Sequence, residues 1–199
     1  MSCSARRPAA AAIAAALLAT LALAGCGGGA IAADTPDSSG QSFVGSAYNS
    51  SVFRAGARPV APDISGMTLT GQHLSLSAYR GSVVVINFWG SWCAPCRAEG
   101  PTLAVLSEQY RSKGVSFLGD DVGDTTANAL AFTRDIGIGY PSVNDASYSI
   151  VQDFSRVASV GYTPTTVVID RTGHIAGLVI GKISYQSMAT ILNDVAASP

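Results

Sequence analysis

Charge is scarce in this chain. Asp, Glu, Lys and Arg supply 13% of its 199 residues, and the formal net charge is −1. Its basic residues form no cluster, so there is no electrostatic footprint for nucleic acid. The low charge also sets the chain apart from highly charged disordered sequences. Histidine is limited to His73 and His174, which gives an imidazole-built metal centre little to draw on. The four cysteines are too few for a disulfide-dense scaffold. Nine Pro and 21 Gly show no three-residue period, which removes collagen. The apolar run Ala9 to Ala24 falls short of the ~20 residues that a membrane span needs. No internal repeat is present. The length allows one domain with an appended segment.

That apolar run follows Arg6 and Arg7, the order of a positive n-region and an apolar h-region in a secretory signal. A twin-arginine signal fits less well, because no apolar pair follows the arginines at the right spacing. The run closes on Leu23-Ala24-Gly25-Cys26, which resembles a bacterial lipoprotein lipobox. The resemblance implies that residues 1–25 are a cleaved signal peptide and that Cys26 is lipidated and becomes the new terminus. It also implies that the lipid holds the protein to the extracytoplasmic face of the cell membrane. One acyl chain holds only weakly, and lipoproteins of this kind carry several on one Cys. Cleavage also removes Cys3, leaving Cys93 and Cys96 as thiols in a compartment where disulfides persist.

Residues 26–58 are rich in Gly, Ser and Ala and read as a flexible tether. Phe43, Val44, Tyr48, Val52 and Phe53 interrupt that composition, and packing of this stretch against the domain is left open by the sequence. The folded domain is expected over residues 59–199. Met67 to Leu76 alternates apolar and polar around Gly71-Gln72, a hairpin signal. Val83 to Phe88 is a β-branched apolar run suited to a strand covered on both faces. A helix is predicted from Cys93 or Ala94 to about Lys113, with Leu103, Leu106 and Tyr110 inward and Gly114 ending it. Val115 to Leu118 is a further strand. Asp124 is expected to cap a helix reaching Ile136, and a short helix follows near Ser147 to Phe154. Thr165–Asp170 and Ile175–Ile180 read as a hairpin about Arg-Thr-Gly-His. Met188, Ile191, Leu192 and Val195 mark a final amphipathic helix. This order predicts an α/β domain, a mixed central sheet with helices on both faces.

The chemistry concentrates at Trp92-Cys-Ala-Pro-Cys96. A Cys-x-x-Cys between a buried strand and a helix puts its first Cys at the helix N-terminus, where free N–H groups and the dipole favour a thiolate. Pro95 suits the first helical turn, where its missing N–H costs nothing. Cys93 is then expected to be exposed and attacking, with Cys96 more buried and resolving through a mixed disulfide. Structural zinc and an inert disulfide are the alternatives. Zinc wants four ligands, and no second Cys pair survives cleavage, so no metal site is expected. A disulfide closing so short a loop constrains the chain little.

Asn87-Phe-Trp-Gly-Ser-Trp-Cys-Ala-Pro-Cys-Arg-Ala-Glu-Gly-Pro101 resembles the active-site segment of the TlpA/ResA family of thioredoxin-like proteins. The likeness extends through the early hairpin, Tyr140-Pro141 and Gly161-Tyr-Thr-Pro-Thr-Thr-Val-Val-Ile-Asp170, over about Ala61 to Val195. It implies a thioredoxin-like fold with extra N-terminal strands and an inserted strand-helix segment. It also implies a membrane-tethered thiol-disulfide oxidoreductase that needs no cofactor beyond its redox-active Cys93–Cys96 pair. Its partners would be protein disulfide or dithiol substrates and a membrane redox partner. Pro164 matches the family's cis-proline, which offers the Thr163 backbone to a substrate chain beside Trp92. Glu99 matches a carboxylate that tunes the thiols. Asn87 stands where cytoplasmic thioredoxin has a buried Asp, so Glu99 inherits any proton-handling role. Pro101 lies inside the helix, where a kink is expected. Arg97 reads as a solvent-facing helix residue, and both histidines as solvent-facing.

Electron direction is read from Ala94-Pro95, which contains no His to stabilise the thiolate; a less stabilised thiolate makes a less oxidising disulfide. Reduction of protein disulfides is therefore expected, in cytochrome c maturation or in repair of mispaired disulfides, with disulfide formation in secreted proteins as the alternative. A peroxiredoxin-like peroxidase needs a Thr three residues before its reactive Cys, where this chain has Gly90. Thioredoxin-like copper-delivery proteins use a pair spaced one residue wider plus a downstream His.

Overall fold

The computed structural model describes residues 41–43 and 49–198. The predicted signal, Cys26, Val44 and Tyr48 lie outside the described residues. The strands are β1 (Gln41–Phe43), β2 (Asn49–Phe53), β3 (Ser65–Met67), β4 (His73–Ser75), β5 (Val83–Trp89), β6 (Val115–Val122), β7 (Ser142–Asp145), β8 (Thr165–Ile169) and β9 (Ile175–Ile180). The helices are α1 (Ala94–Arg111), α2 (Thr126–Ile136), α3 (Ser149–Ser155) and α4 (Tyr185–Ala197). They form the thioredoxin-like fold that the sequence predicts.

Every residue of β5 is buried, as its continuous apolar run requires. It is central in a seven-stranded mixed sheet ordered β1-β2-β9-β8-β5-β6-β7, parallel to β6 and antiparallel to β8. Residues alternate between its two faces. Val84, Ile86 and Phe88 pack with Leu118, Val122, Ile150 and Phe154 on the α3 side. Val83 and Val85 pack with Leu103, Leu106, Met188, Ile191 and Leu192 on the side of α1 and α4. Trp89 stacks on Phe132 of α2 at 4.8 Å between ring centroids, next to the two cysteines. The hairpin of β3 and β4 forms a separate two-stranded sheet turned at Gly71, whose φ of 79° suits glycine.

Four expectations are corrected. The tether does not reach residue 58: β2 pairs antiparallel with β9, and Phe53 is buried in the α3-side core. Arg58 then pairs with Asp170 at 2.9 Å. A polar strand such as Asn-Ser-Ser-Val-Phe is stabilised by its neighbour rather than by its own pattern. The strand expected to end at Leu118 continues through Gly119, Asp120 and Asp121 to Val122, because β5 and β7 supply parallel partners on both sides. Strand β7, Ser142–Asp145, is an addition to the predicted elements, since its residues carry no strand signal of their own. The cap of α2 is Thr125, whose hydroxyl accepts from the Asn128 N–H at 3.3 Å. Asp124 instead accepts the Ser91 N–H at 2.8 Å, tying this turn to the loop that carries the cysteines.

Candidate active site

The loop after β5 delivers Cys93 to the start of α1, where it is the N-cap in an extended conformation. The two sulfurs are joined in a disulfide, and the Cys96 N–H donates to Cys93 Sγ at 3.3 Å. A free helix N–H aimed at this sulfur is the local device that stabilises a thiolate once the bond opens. Neither cysteine is exposed in the disulfide form: Cys93 is 4% accessible and Cys96 2%. The expected exposure of Cys93 is thus not met, since the Thr163 carbonyl lies 3.7 Å from its sulfur. The Thr163–Pro164 peptide is cis and Pro164 is buried, directly before β8. Trp92 is 58% exposed, with its Nε1 donating to the Val122 carbonyl at 3.1 Å.

Glu99 lies three residues beyond Cys96 on α1, on the same face of the helix. It is buried, and both its oxygens are engaged. Asn87 Nδ2 donates to Oε1 at 2.9 Å, and the Ile183 N–H donates to Oε2 at 2.8 Å. Asn87 also donates to Thr166 Oγ1 at 3.0 Å, which fixes its amide. Burial pushes the Glu99 carboxyl from an ordinary value of 4.5 up to about 7, against the pull of Ile183, Asn87 and Lys182. Asn87 thus fills the position of an acid and orients one. Thr166 and the Ile183 amide are not foreseeable from sequence, because a backbone donor from a remote loop leaves no sequence signal. Arg97 is solvent-facing as expected, its guanidinium 5.7 Å from the centre of the Phe132 ring. His73 is exposed, and His174 is held near the β8–β9 turn by Thr172 at 2.8 Å.

Two further acids escape the sequence reading. Asp120 and Asp121 on β6 are both buried, and their carboxyl oxygens have no hydrogen-bond partner. Asp120 is held well above the ordinary range by burial and by Asp145 and Asp121. Burial and the nearby Asp124 push Asp121 to about 7. Among the described residues no three His, Cys, Asp or Glu side chains form a metal-binding group.

Residues 58–177 match the AhpC/TSA family. The chain belongs to this family. Within it the chain is 32% identical over 135 residues to the thiol-disulfide oxidoreductase ResA of Geobacillus thermodenitrificans, covering 68% of this chain and 75% of that protein. The ResA of Bacillus subtilis is 28% identical over 133 residues, covering 67% of this chain and 72% of that one. A secreted thiol-disulfide isomerase from Corynebacterium glutamicum superposes with a TM-score of 0.70 at 28% identity, covering 75% of this chain and 92% of that one. A DsbF homologue from Corynebacterium diphtheriae does so with a TM-score of 0.67 at 31% identity, covering 73% and 92%. The protein is a ResA-like thiol-disulfide oxidoreductase.

Proposed function

We propose that this oxidoreductase reduces disulfides in extracytoplasmic proteins, with Cys93 as nucleophile and Cys96 as resolving thiol. The Cys93 thiolate attacks one sulfur of the substrate disulfide, and the other substrate sulfur leaves as a thiolate. Cys96, deprotonated, then attacks Cys93 Sγ and releases the second substrate sulfur. The substrate gains two electrons and the enzyme is left as the Cys93–Cys96 disulfide. Glu99 takes the Cys96 proton, since its own affinity for protons falls near working pH. Thr163 and cis Pro164 present the backbone along which the substrate segment lies, with Trp92 beside it. A membrane-bound dithiol partner returns the pair to its reduced form, and the lipid on Cys26 keeps the protein at that surface, with residues 1–25 removed as a signal. Cytochrome c maturation is the service that a reductase of this kind performs there.

The observation that carries this reading is the Cys93–Cys96 pair at the head of α1, with the Cys96 N–H on Cys93 Sγ and the Thr163 carbonyl against it. Peroxidase chemistry is disfavoured at Gly90. A Cβ there would sit 2.6 Å from Cε2 of the Trp92 indole, so no threonine fits without displacing Trp92.

The midpoint potential of the Cys93–Cys96 couple tests the direction. A value near about −270 mV, that of thioredoxin, supports reduction, and one near about −120 mV, that of DsbA, overturns it in favour of disulfide formation. In the same preparation, Cys96→Ser accumulates mixed disulfides through Cys93; accumulation in Cys93→Ser instead reverses the two roles.

A further inference from the structure

Exposed aromatic side chains are unevenly distributed. Among the described residues they are Trp92, Tyr148, Tyr162 and Tyr185; Trp92 precedes Cys93 and Tyr162 precedes the Thr163 whose carbonyl meets its sulfur. Strand β5, which feeds Cys93, lies between β8 and β6 in the sheet. Tyr162, 70% exposed, precedes β8 in the loop whose Thr163 carbonyl faces Cys93. Trp92 leans the other way, onto the end of β6, through its bond to the Val122 carbonyl.

Tyr148 completes that second side. It is the N-cap of α3 and the only described non-glycine residue with positive φ, at 61°. Such a conformation is uncommon for a bulky residue and needs support from its surroundings. Asp145 provides it. The Tyr148 N–H donates to the Asp145 carbonyl at 3.1 Å, and the Asp145 carboxylate accepts from the N–H groups of Ser149, Ile150 and Val151. The result is a ring laid over Gly123, the residue after Val122, while remaining 45% exposed. A Cβ on Gly123 would lie 2.6 Å from the ring's Cζ, so any other residue there would push the ring from this seat. Trp92 and Tyr148 therefore lie against consecutive residues, Val122 and Gly123, and this pair of rings is the ledge.

We propose that Tyr148 is a specificity residue. Together with Trp92 it forms a subsite for an aromatic side chain next to the reacting cysteine of an extended substrate segment. The proposal rests on the reading of Cys93 and Cys96 as acting on protein disulfides. The ledge adjoins that redox site through Trp92, and of the exposed side chains at the head of α1, Ala94 and Pro95 are uncharged while the Arg97 guanidinium is turned onto the Phe132 ring and the Ser91 carbonyl. The nearest acid, Asp124, is committed to the Ser91 and Thr125 N–H groups at 2.8 and 2.7 Å. Trp92 and Tyr148 themselves carry no charge, and two exposed rings gain by covering a third.

The test uses two disulfide peptides differing only in the residue beside the cysteine, Phe in one and Ser in the other. The ratio of their kcat/KM values is read for the reduced protein. The wild type is expected to favour the Phe peptide by about three- to tenfold, the gain of one aromatic contact. Tyr148→Asn, whose side chain tolerates the left-handed backbone, should bring the ratio near one. Tyr148→Phe should keep it, as should Tyr185→Asn on remote α4. A wild-type ratio near one, or a preference that survives Tyr148→Asn, overturns the proposal. Because the readout is a ratio, a general loss of folding or of thiol reactivity does not imitate the result. Turnover of a small-molecule disulfide by the wild type is measured alongside, and its absence would count against the oxidoreductase reading rather than against the ledge.

Discussion

Glu99 on α1 and Asp120 on β6 are equally inaccessible, each 1% exposed, and they behave differently. Glu99 accepts from Asn87 and the Ile183 N–H, while Asp120 accepts from nothing and faces Asp121 and Asp145 electrostatically. Burial raises both, but only Glu99 has donors for its charged form, so it settles near 7 while Asp120 stays well above its ordinary value. Asp124 completes the series: burial pushes it up, and hydrogen bonds from the Ser91 side chain, the Ser91 and Thr125 N–H groups and the Asn128 side chain more than offset this, leaving it below its ordinary value. Asp120, buried against two other acids with no donor, holds its proton. Asp121 comes to about 7 without a donor, so donors are not the sole control. What sets Glu99 apart is that its two donors hold the charged form in place beside Asn87, so that it can give the proton up near 7 and take it back, which is what a dithiol pair requires of its neighbour.

The largest test of this contrast is kinetic. Glu99→Gln should slow disulfide exchange by about 10²-fold, the scale of a lost general acid-base group, and flatten its pH dependence near 7. Asp120→Asn should leave the exchange rate within about twofold, since no hydrogen bond couples it to the sulfurs. Equal slowing in both variants, by stopped-flow thiol fluorescence, breaks the comparison.

Stability against pH gives the next effect. Folding raises both pKa values, so the unfolded chain loses its protons first as pH rises. Native stability is full below the unfolded values and is lost as pH climbs through the folded ones. For Glu99 the fall runs from about 4.5 to about 7 and amounts to at most about 3 kcal/mol. Urea unfolding across this range should show the fall in wild type, a shallower one in Glu99→Gln, and in Asp120→Asn a curve that flattens at higher pH. A slope unchanged by either substitution removes these groups as its source.

The smallest effect concerns Thr125, which caps α2 beside Asp124 without touching the redox loop. Thr125→Ala should lower stability by about 1 kcal/mol in denaturant titration and leave exchange kinetics unaltered.

Much of this site is legible in the amino-acid sequence. The Cys-x-x-Cys after an apolar run, Pro95 in the next turn and Thr163-Pro164 far downstream are local patterns, and local patterns fix where a strand ends and a helix begins. Asn87 and Glu99 can be named from the same segment. Their partners cannot: Thr166 and Ile183 are 79 and 84 residues away, and one donor is a backbone amide. The acids of β6 are hidden because polar residues at a strand's end read as a loop. They are strand because parallel neighbours on both sides satisfy the backbone.

Apolar patterning by itself determined β5, α1, β8, β9 and α4: a continuous run buried on both faces for the central strand, and one apolar face for each helix. Tertiary structure alone decided β2, β7 and the last half of β6, whose side chains do not reveal burial and whose stability comes from hydrogen bonds lent by adjacent strands. It also decided the proton affinities. A carboxyl's residue type sets its starting pKa, but the donors and acids brought around it from distant parts of the chain determine whether it can act.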